Sequence, residues 1–342
     1  MRSFFSLLLF LSPIVALSQL KDTIHVSPAP YYISLKDKLS IHIYGITKFN
    51  QIELKSPSKD TIIRFQPNEN FNVGAGFNYK WAGISGAFNF KFLNNDNTVY
   101  GTTTSFDLQS DIFTRKTVWS INFQSYEGFY WGNVNEFDTT WNTRDSVPLR
   151  PDINTVNLGC NMIYTVNYEK FSFKAPYTHT EWQKRSAGSW LLGIHLSYYG
   201  MKADSILIPF RLWPSYPIYS SMTTLGTYSL GSSMGYSYTY IFWKHFYLNA
   251  TLMVGLSIQT YRASSRSGRV MVNESNLSSK LHFRLSIGVN NEKCYYGISA
   301  IMDSYPIRNE LESEFIYNYG KIRIFYGRHI NWEGIKNTGK PE

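Results

Sequence analysis

The sequence predicts an all-β protein: a single antiparallel β-barrel of about twelve strands that crosses a bilayer, with ten or fourteen strands also fitting the pattern. Three observations predict it. Strand-period alternation recurs through almost the whole chain after residue 38, while helical periodicity is nearly absent. Many alternating runs reach about ten residues, the length of a transmembrane strand, against about five or six in ordinary globular sheets. Tight and long connections also take turns, as they do in outer-membrane barrels.

Composition agrees. The 342 residues include 26 Tyr, and charged residues make up 17%, well below the roughly 25% of soluble domains. The formal net charge is +9. Its Lys and Arg sit mostly in turns and loops, where they suit solvent or the phosphates of outer-membrane lipids, lipopolysaccharide included. No basic stripe interleaved with aromatics follows a strand, so nucleic acid is not an expected partner.

The chain begins "MRSFFSLLLFLSPIVALSQ". Arg2, an apolar stretch from Phe4 to Val15 and a small-residue site at Ala16–Ser18 predict a signal peptide over 1–18, cleaved before Gln19. The apolar stretch is shorter than the roughly 20 residues a spanning helix needs. Residues 19–37 then form an N-terminal periplasmic segment, 38–328 the barrel and 329–342 a polar C-terminal tail.

The strands follow in order. Residues 39–48 open the barrel, and 51–55 with 61–66 either extend that strand or form one more hairpin. "FNVGAGFNYKWAGISGAFNFKF" gives 71–80 and 84–92 around the turn 81–83. Strands 102–114 and 117–126 meet at Arg115–Lys116, and 155–168 and 187–202 follow. Strands 225–241 and 245–261 meet at Trp243–Lys244, 280–290 and 293–303 at Asn291–Glu292, and 315–328 ends the barrel. The long connections, including 49–70, 127–154 and 203–224, are rich in Asn, Ser, Pro and Asp and belong outside. One connection breaks the rule: 169–186 is long where a tight periplasmic turn is due.

The alternation also predicts which face meets lipid. Leu248, Ala250, Leu252, Val254, Leu256 and Ile258 oppose Asn249, Thr251, Gly255, Ser257 and Gln259. A sheet facing water would carry Lys and Glu on its polar side; hydroxyls, amides and Gly suit a lumen instead. Trp81, Trp119 and Trp243 near turns, and Tyr31, Tyr32, Tyr126, Tyr130 and Trp131 near other strand ends, read as interfacial girdles. Cys160 and Cys294 lie on apolar faces and read as small hydrophobic residues rather than a disulfide.

Four stretches then become familiar: "FNVGAGFNYKWAGISGAFNF", "FLNNDNTVYGTTTSFDLQSDIFTRK", "EGFYW" and "FSFKAPYTHTEWQKRSAGSWLLGIHLSYYG". Together they resemble the domain of unknown function 4421 family of Bacteroidota, over about residues 38 to 328. The resemblance implies an outer-membrane barrel and carries over no catalytic or binding residue. The chain departs from a usual barrel end in its polar tail, although Phe325 and Tyr326 keep an aromatic close to the last strand for the barrel-insertion machinery.

Candidate functional residues form two groups. Lys80, Lys91, Asp107, Asp111, His195, His282, Arg284 and Asp303 fall on the lumen parity of their strands and predict either a selectivity ring or a salt-bridge network filling the barrel. In the anomalous connection, Phe171, Phe173, Pro176, Tyr177 and Trp182 carry enough apolar mass to fold back as a plug or to dock a periplasmic partner, with Glu181, Gln183, Lys184 and Arg185 as polar anchors. A structural turn is the plainer alternative. No phosphate loop, EF-hand or metal spacing is visible, so no cofactor is expected. His195 with Ser197, or His282 with Ser286, face the lumen, which argues against a lipid-modifying enzyme. The expected roles are therefore a passive or partner-gated channel or, alternatively, a closed structural or docking barrel.

Overall fold

The computed structural model describes residues 30–331, apart from 59, 81, 91–92, 94–95, 140–145, 217–218 and 309–313. The expected signal peptide, Trp81, Lys91 and nearly all of the C-terminal tail lie outside the described residues.

Fifteen strands are described: β1 (Tyr32–Ser34), β2 (Leu39–Lys55), β3 (Ile62–Gln66), β4 (Asn72–Tyr79), β5 (Ala82–Asn89), β6 (Thr104–Phe113), β7 (Thr117–Trp131), β8 (Leu149–Thr165), β9 (Glu181–Gln183), β10 (Ala187–Lys202), β11 (Met222–Phe242), β12 (Phe246–Ser265), β13 (Val270–Asn290), β14 (Cys294–Arg308) and β15 (Glu314–Ile330). Two short helices are α1 (Asn97–Tyr100) and α2 (Lys174–Tyr177). All twelve expected strands are present, and most run further than expected. β3, β1 and β9 are additions.

β2 pairs with β15 along its length and closes an antiparallel ring, β2–β15–β14–β13–β12–β11–β10–β8–β7–β3. That ring has ten strands, fewer than the twelve expected. The difference lies in β3, which joins β2 to β7 through Phe65 and Gln66. β4 and β5 branch from the other half of β2, and β6 from β7. Among the described residues, β5 pairs only with β4 and β6 only with β7. Gly128 makes the changeover at β7: the register shifts between Glu127 and Phe129, φ is +90°, and a Cβ there would lie 2.4 Å from the Thr102 carbonyl oxygen. Only glycine fits such a bulge.

The faces are inverted relative to a soluble sheet. On β12, Ile258 is 67% exposed while its neighbour Gln259 is 2% exposed. Leu252, Val254 and Leu256 are exposed in the same way, and Asn249, Thr251 and Ser257 are buried. Apolar side chains turned out around a closed ring are what a bilayer requires, because closure satisfies the backbone and the band satisfies the lipid. Cys160 and Cys294 are free.

The strands are longer than the bilayer needs. β11 and β13 have 21 residues each. A strand of that length is roughly 70 Å long and, at a 45° tilt, rises about 50 Å, twice the roughly 25 Å apolar band. The excess stands at the end bearing the long loops and encloses a buried core of Ile52, Leu54, Phe65, Tyr261, Phe315 and Tyr317. Leu207, Ile208, Tyr216 and Tyr219, from the connection after β10, complete it. Tyr126 and Trp131 belong to this core rather than to an interfacial girdle, because both lie on the inward face of β7, on either side of the Gly128 bulge. Trp119 and Trp243 are exposed outside, as a girdle needs.

Candidate functional site

The site is the barrel interior, and it builds in three levels. At the end bearing the tight turns, the 169–186 segment folds into the mouth. Phe171 and Phe173 bury against Val118, Ile163, Leu191 and Met253. The Ala175 and Pro176 carbonyls, left unpaired by so short a helix as α2, accept from Asn290 Nδ2 at 3.1 Å and Ser286 Oγ at 3.0 Å. Tyr177 donates to Asn249 Oδ1 at 2.7 Å. His179, in the left-handed region at φ 58°, stacks on Tyr295 at 4.2 Å and meets the Tyr247 hydroxyl at 3.2 Å. Burial, then the nearby Arg323, holds the His179 pKa well below its ordinary value, so the docked imidazole is neutral.

The polar anchors divide. Gln183 is buried, accepting from the Ser172 N–H at 2.9 Å and donating to the Lys170 carbonyl at 2.7 Å. Glu181 accepts from Ser172 Oγ and pairs with Lys174 at 3.7 Å. Through β9 the segment also pairs with β1, so the N-terminal stretch is part of the same closure. Trp182 is half-buried near His245, while Lys184 and Arg185 are exposed, Lys184 over the Trp182 ring and Arg185 over that of Tyr31.

The middle level is a charge network. Asp111 on β6 faces its cross-strand neighbour Ser120, whose hydroxyl donates to it at 2.5 Å. Arg284 reaches across from β13: its Nη2 lies 3.2 Å from Asp111 Oδ1 and 3.0 Å from Ser120 Oγ. Lys321 faces the other Asp111 oxygen at 3.6 Å. Arg284 Nε donates to His282 Nε2 at 2.9 Å, which makes Nδ1 the protonated nitrogen, donating to Asp303 at 2.9 Å. Asp303 also pairs with Lys280 at 3.5 Å, and Lys280 donates to Asn161. Asp107 pairs with Lys48 at 3.1 Å and accepts from Tyr126 and Gln124. The guanidinium of Arg284, a residue 1% exposed, lies over the rings of Phe173 and Tyr177, tying this level to the segment below.

Most expected lumen residues meet in this level, with exceptions. Lys80 sits in the exposed turn after β4, over Tyr79, where the strand has already ended, so it is not a lumen charge. Lys91 lies outside the described residues. His195 is buried beside Tyr305, with neither ring nitrogen hydrogen-bonded. Neither Ser–His pair is assembled: both His282 nitrogens are occupied, and Ser286 donates to Pro176. Sequence reasoning missed Lys48, Lys280 and Lys321. Strand parity held the signal for Lys280, two residues before His282 on one face.

The third level is the apolar core under the connection after β10. Arg150 pins that connection, donating to the carbonyls of Ser205 at 3.1 Å and Ile206 at 3.2 Å while pairing with Asp152 at 2.8 Å. The bond from Arg150 holds the Asp152 carboxyl well below the usual range.

Comparisons with solved structures return barrels of the outer membrane. The outer-membrane protease OmpT from Escherichia coli is 8% identical, covers 87% of this chain and 98% of its own, and has a TM-score of 0.33. The translocator domain of the autotransporter NalP from Neisseria meningitidis is 5% identical over 84% and 88%, with a TM-score of 0.34. The toluene transporter TodX from Pseudomonas putida is 6% identical over 86% and 90%, at 0.23. Likenesses this distant carry nothing about activity. No curated protein matches. The model of the family described as Domain of unknown function (DUF4421) matches residues 22–328, nearly the whole barrel with the segment before it, and the chain belongs to that family.

Proposed function

We propose that this protein is exported by its signal peptide to the bacterial outer membrane, meets lipid and lipopolysaccharide along its apolar band, and works there as a closed structural or docking barrel. The observation that carries this reading is Arg284, buried in the middle of the lumen against Asp111 on one side and the rings of Phe173 and Tyr177 on the other. An aqueous pore needs a continuous wet path. Here the path meets the 169–186 segment, the charge network and the apolar core in turn. A docking role for the segment draws on Lys170, Lys184 and Arg185, its exposed cations.

In planar bilayers the folded protein shows no steady ion conductance on this reading. A stable ohmic conductance of the wild type overturns it in favour of the channel. Deleting residues 171–183 opens one level only, so that variant also conducts little. Catalysis is no part of the proposal: His42 Nε2 lies 3.0 Å from Ser85 Oγ, but its Nδ1 has no hydrogen-bond partner among the described residues to orient the ring as a base; a lipid A change lost in a deletion strain would revive it.

We also propose that in lipid β5 and β6 pair, giving a twelve-stranded spanning ring. Two strand edges facing hydrocarbon would leave backbone groups unsatisfied at several kcal/mol each, so their pairing is strongly favoured.

A further inference from the structure

The edge of β2 that faces away from β15 is covered by β3 over Ile52–Lys55 and by β4 over Ser40–Ile46. Neither covers residues 47–51. The link between β3 and β4 passes this gap, and beside it lies a cavity of about 300 Å³. Its walls include Asn50 from β2, Asn68 and Glu69 from the link, Asp96 and Tyr100 from the loop before β6, and Tyr130 from β7.

Two polar side chains of this cavity hold buried oxygens with no side-chain donor. Asn50, 1% exposed, donates to the Tyr317 hydroxyl at 3.0 Å, but its Oδ1 has no donor. Both Glu69 carboxyl oxygens are sealed from solvent. Burial pushes the Glu69 carboxyl pKa up to about 9, offset only in part by the Asn50 backbone N–H and by Lys48, so it is protonated near neutral pH. A second carboxylate, Asp96, accepts from Asn68 Nδ2 at 3.0 Å. Among the described residues no Lys, Arg or His lines the cavity; Lys48, two residues before Asn50, is paired with Asp107 and offsets the burial of Glu69 only in part. A carboxyl so buried gives up its proton when a further cation comes beside it. The remaining wall is aromatic, with the rings of Tyr100 and Tyr130 4.9 Å apart.

We propose that this cavity binds a small organic cation, a primary ammonium or guanidinium group on a short chain. Glu69 and Asp96 take the charge, Asn50 Oδ1 accepts an N–H, and the two tyrosine rings pack the stem. The N–H groups of such a cation match the acceptors Asp96 and Asn50 Oδ1, and its charge lets Glu69 ionise. An anion would face Asp96, and a neutral polyol would bring no charge for Glu69 to ionise against. Two carboxylates and an amide oxygen fall short of the six to eight oxygens calcium takes, and no cluster of three metal-ligating side chains occurs among the described residues. The volume stands at the lower end of small-molecule sites.

Titration calorimetry on the folded full-length protein in detergent tests this, with cadaverine and agmatine as probes and 1,5-pentanediol and calcium chloride as comparators. Saturable binding of the two cations and none of the diol is expected. Glu69→Gln and Asp96→Asn each weaken it at least about tenfold, the loss of one charge-assisted contact, while keeping wild-type heat-modifiable migration. Absence of saturable amine binding, amine affinity unchanged in both variants, or Glu69-dependent calcium binding that the amines do not displace would each overturn the assignment.

Discussion

Replacing Arg284 with Met tests whether the charge network holds the barrel together. The change keeps the length of the side chain and removes the guanidinium. Three contacts go: Nη2 to Asp111 at 3.2 Å, Nη2 to Ser120 at 3.0 Å and Nε to His282 at 2.9 Å. His282 Nε2 is left without a donor, and Asp111 loses one of its two cations. Removing one partner of a buried ion pair costs about 3–5 kcal/mol. Lys321 still faces Asp111 at 3.6 Å and Ser120 still donates to it, so the lower end applies, about 3 kcal/mol. The triple variant Arg284→Met, Asp111→Asn, Lys321→Met strands no charge and is expected within about 1 kcal/mol of wild type, since apolar replacement of a whole buried group is often neutral. Reversible urea unfolding in lipid vesicles, followed by Trp fluorescence and by gel migration of unboiled samples, measures both. If Arg284→Met costs under about 0.5 kcal/mol, or the triple variant costs more than the single, the network does not hold the interior as argued.

Three further outcomes are expected. His179 is neutral when docked, with its pKa depressed, so protonation favours the undocked segment: docking is unaffected above about pH 6.5 and weakens by up to about 1.4 kcal/mol per pH unit below it, until the docked pKa is reached. Limited proteolysis of 171–183 from pH 8 to pH 5 reads this, His179→Gln flattens it, and a flat wild-type profile refutes it. With Cys160 and Cys294 replaced, cysteines at Ser85, Ala87 or Asn89 of β5 form a disulfide with one at Gln109 or Phe113 of β6 in native membranes; no bond from any pair refutes the twelve-stranded ring. Tyr216→Ala, at a fully buried position of the loop-end core, costs about 3–5 kcal/mol in urea unfolding, and a cost under about 1 kcal/mol would mean that this core is not packed.

Much of the architecture was legible because a barrel in lipid has few solutions. Strand parity gave the faces, and loop parity gave the ends. The 187–202 strand was located to the residue, bounded by the odd segment before it and by the break after Lys202. The ring count was not legible. β3 is a five-residue strand, and nothing in "TIIRFQ" says whether it extends β2 or crosses to β7. The cross-lumen partners were not legible either: Asp111 and Arg284 lie far apart in sequence and meet only because the ring closes. Lys48 was missed because β2 was expected to end at that residue, whereas the strand continues to Lys55.

One signal in the sequence explains the unexpected strand length, and it is a change of parity rather than its loss. On β2 the outward residues are odd-numbered. Ile41 and Ile43 are apolar and exposed, yet Gln51, Glu53 and Lys55 on the same side are polar, while inward Ile52 and Leu54 are now the buried apolar ones. β12 repeats the inversion. Outward Leu252 to Ile258 gives way to Thr260 and Arg262, and inward Ser257 and Gln259 give way to Tyr261 and Ala263. Where the greasy side of one continuous strand passes from outside to inside, the solvent around it has changed from lipid to water. The chain is therefore two barrels on one set of strands: a lipid-facing half with a polar interior, and a water-facing half with an ordinary hydrophobic core. That core fills the interior at the end bearing the long loops. A continuous wet path would have to pass through both halves, and at the long-loop end Ile52, Leu54, Phe65, Tyr261 and Phe315 pack the interior.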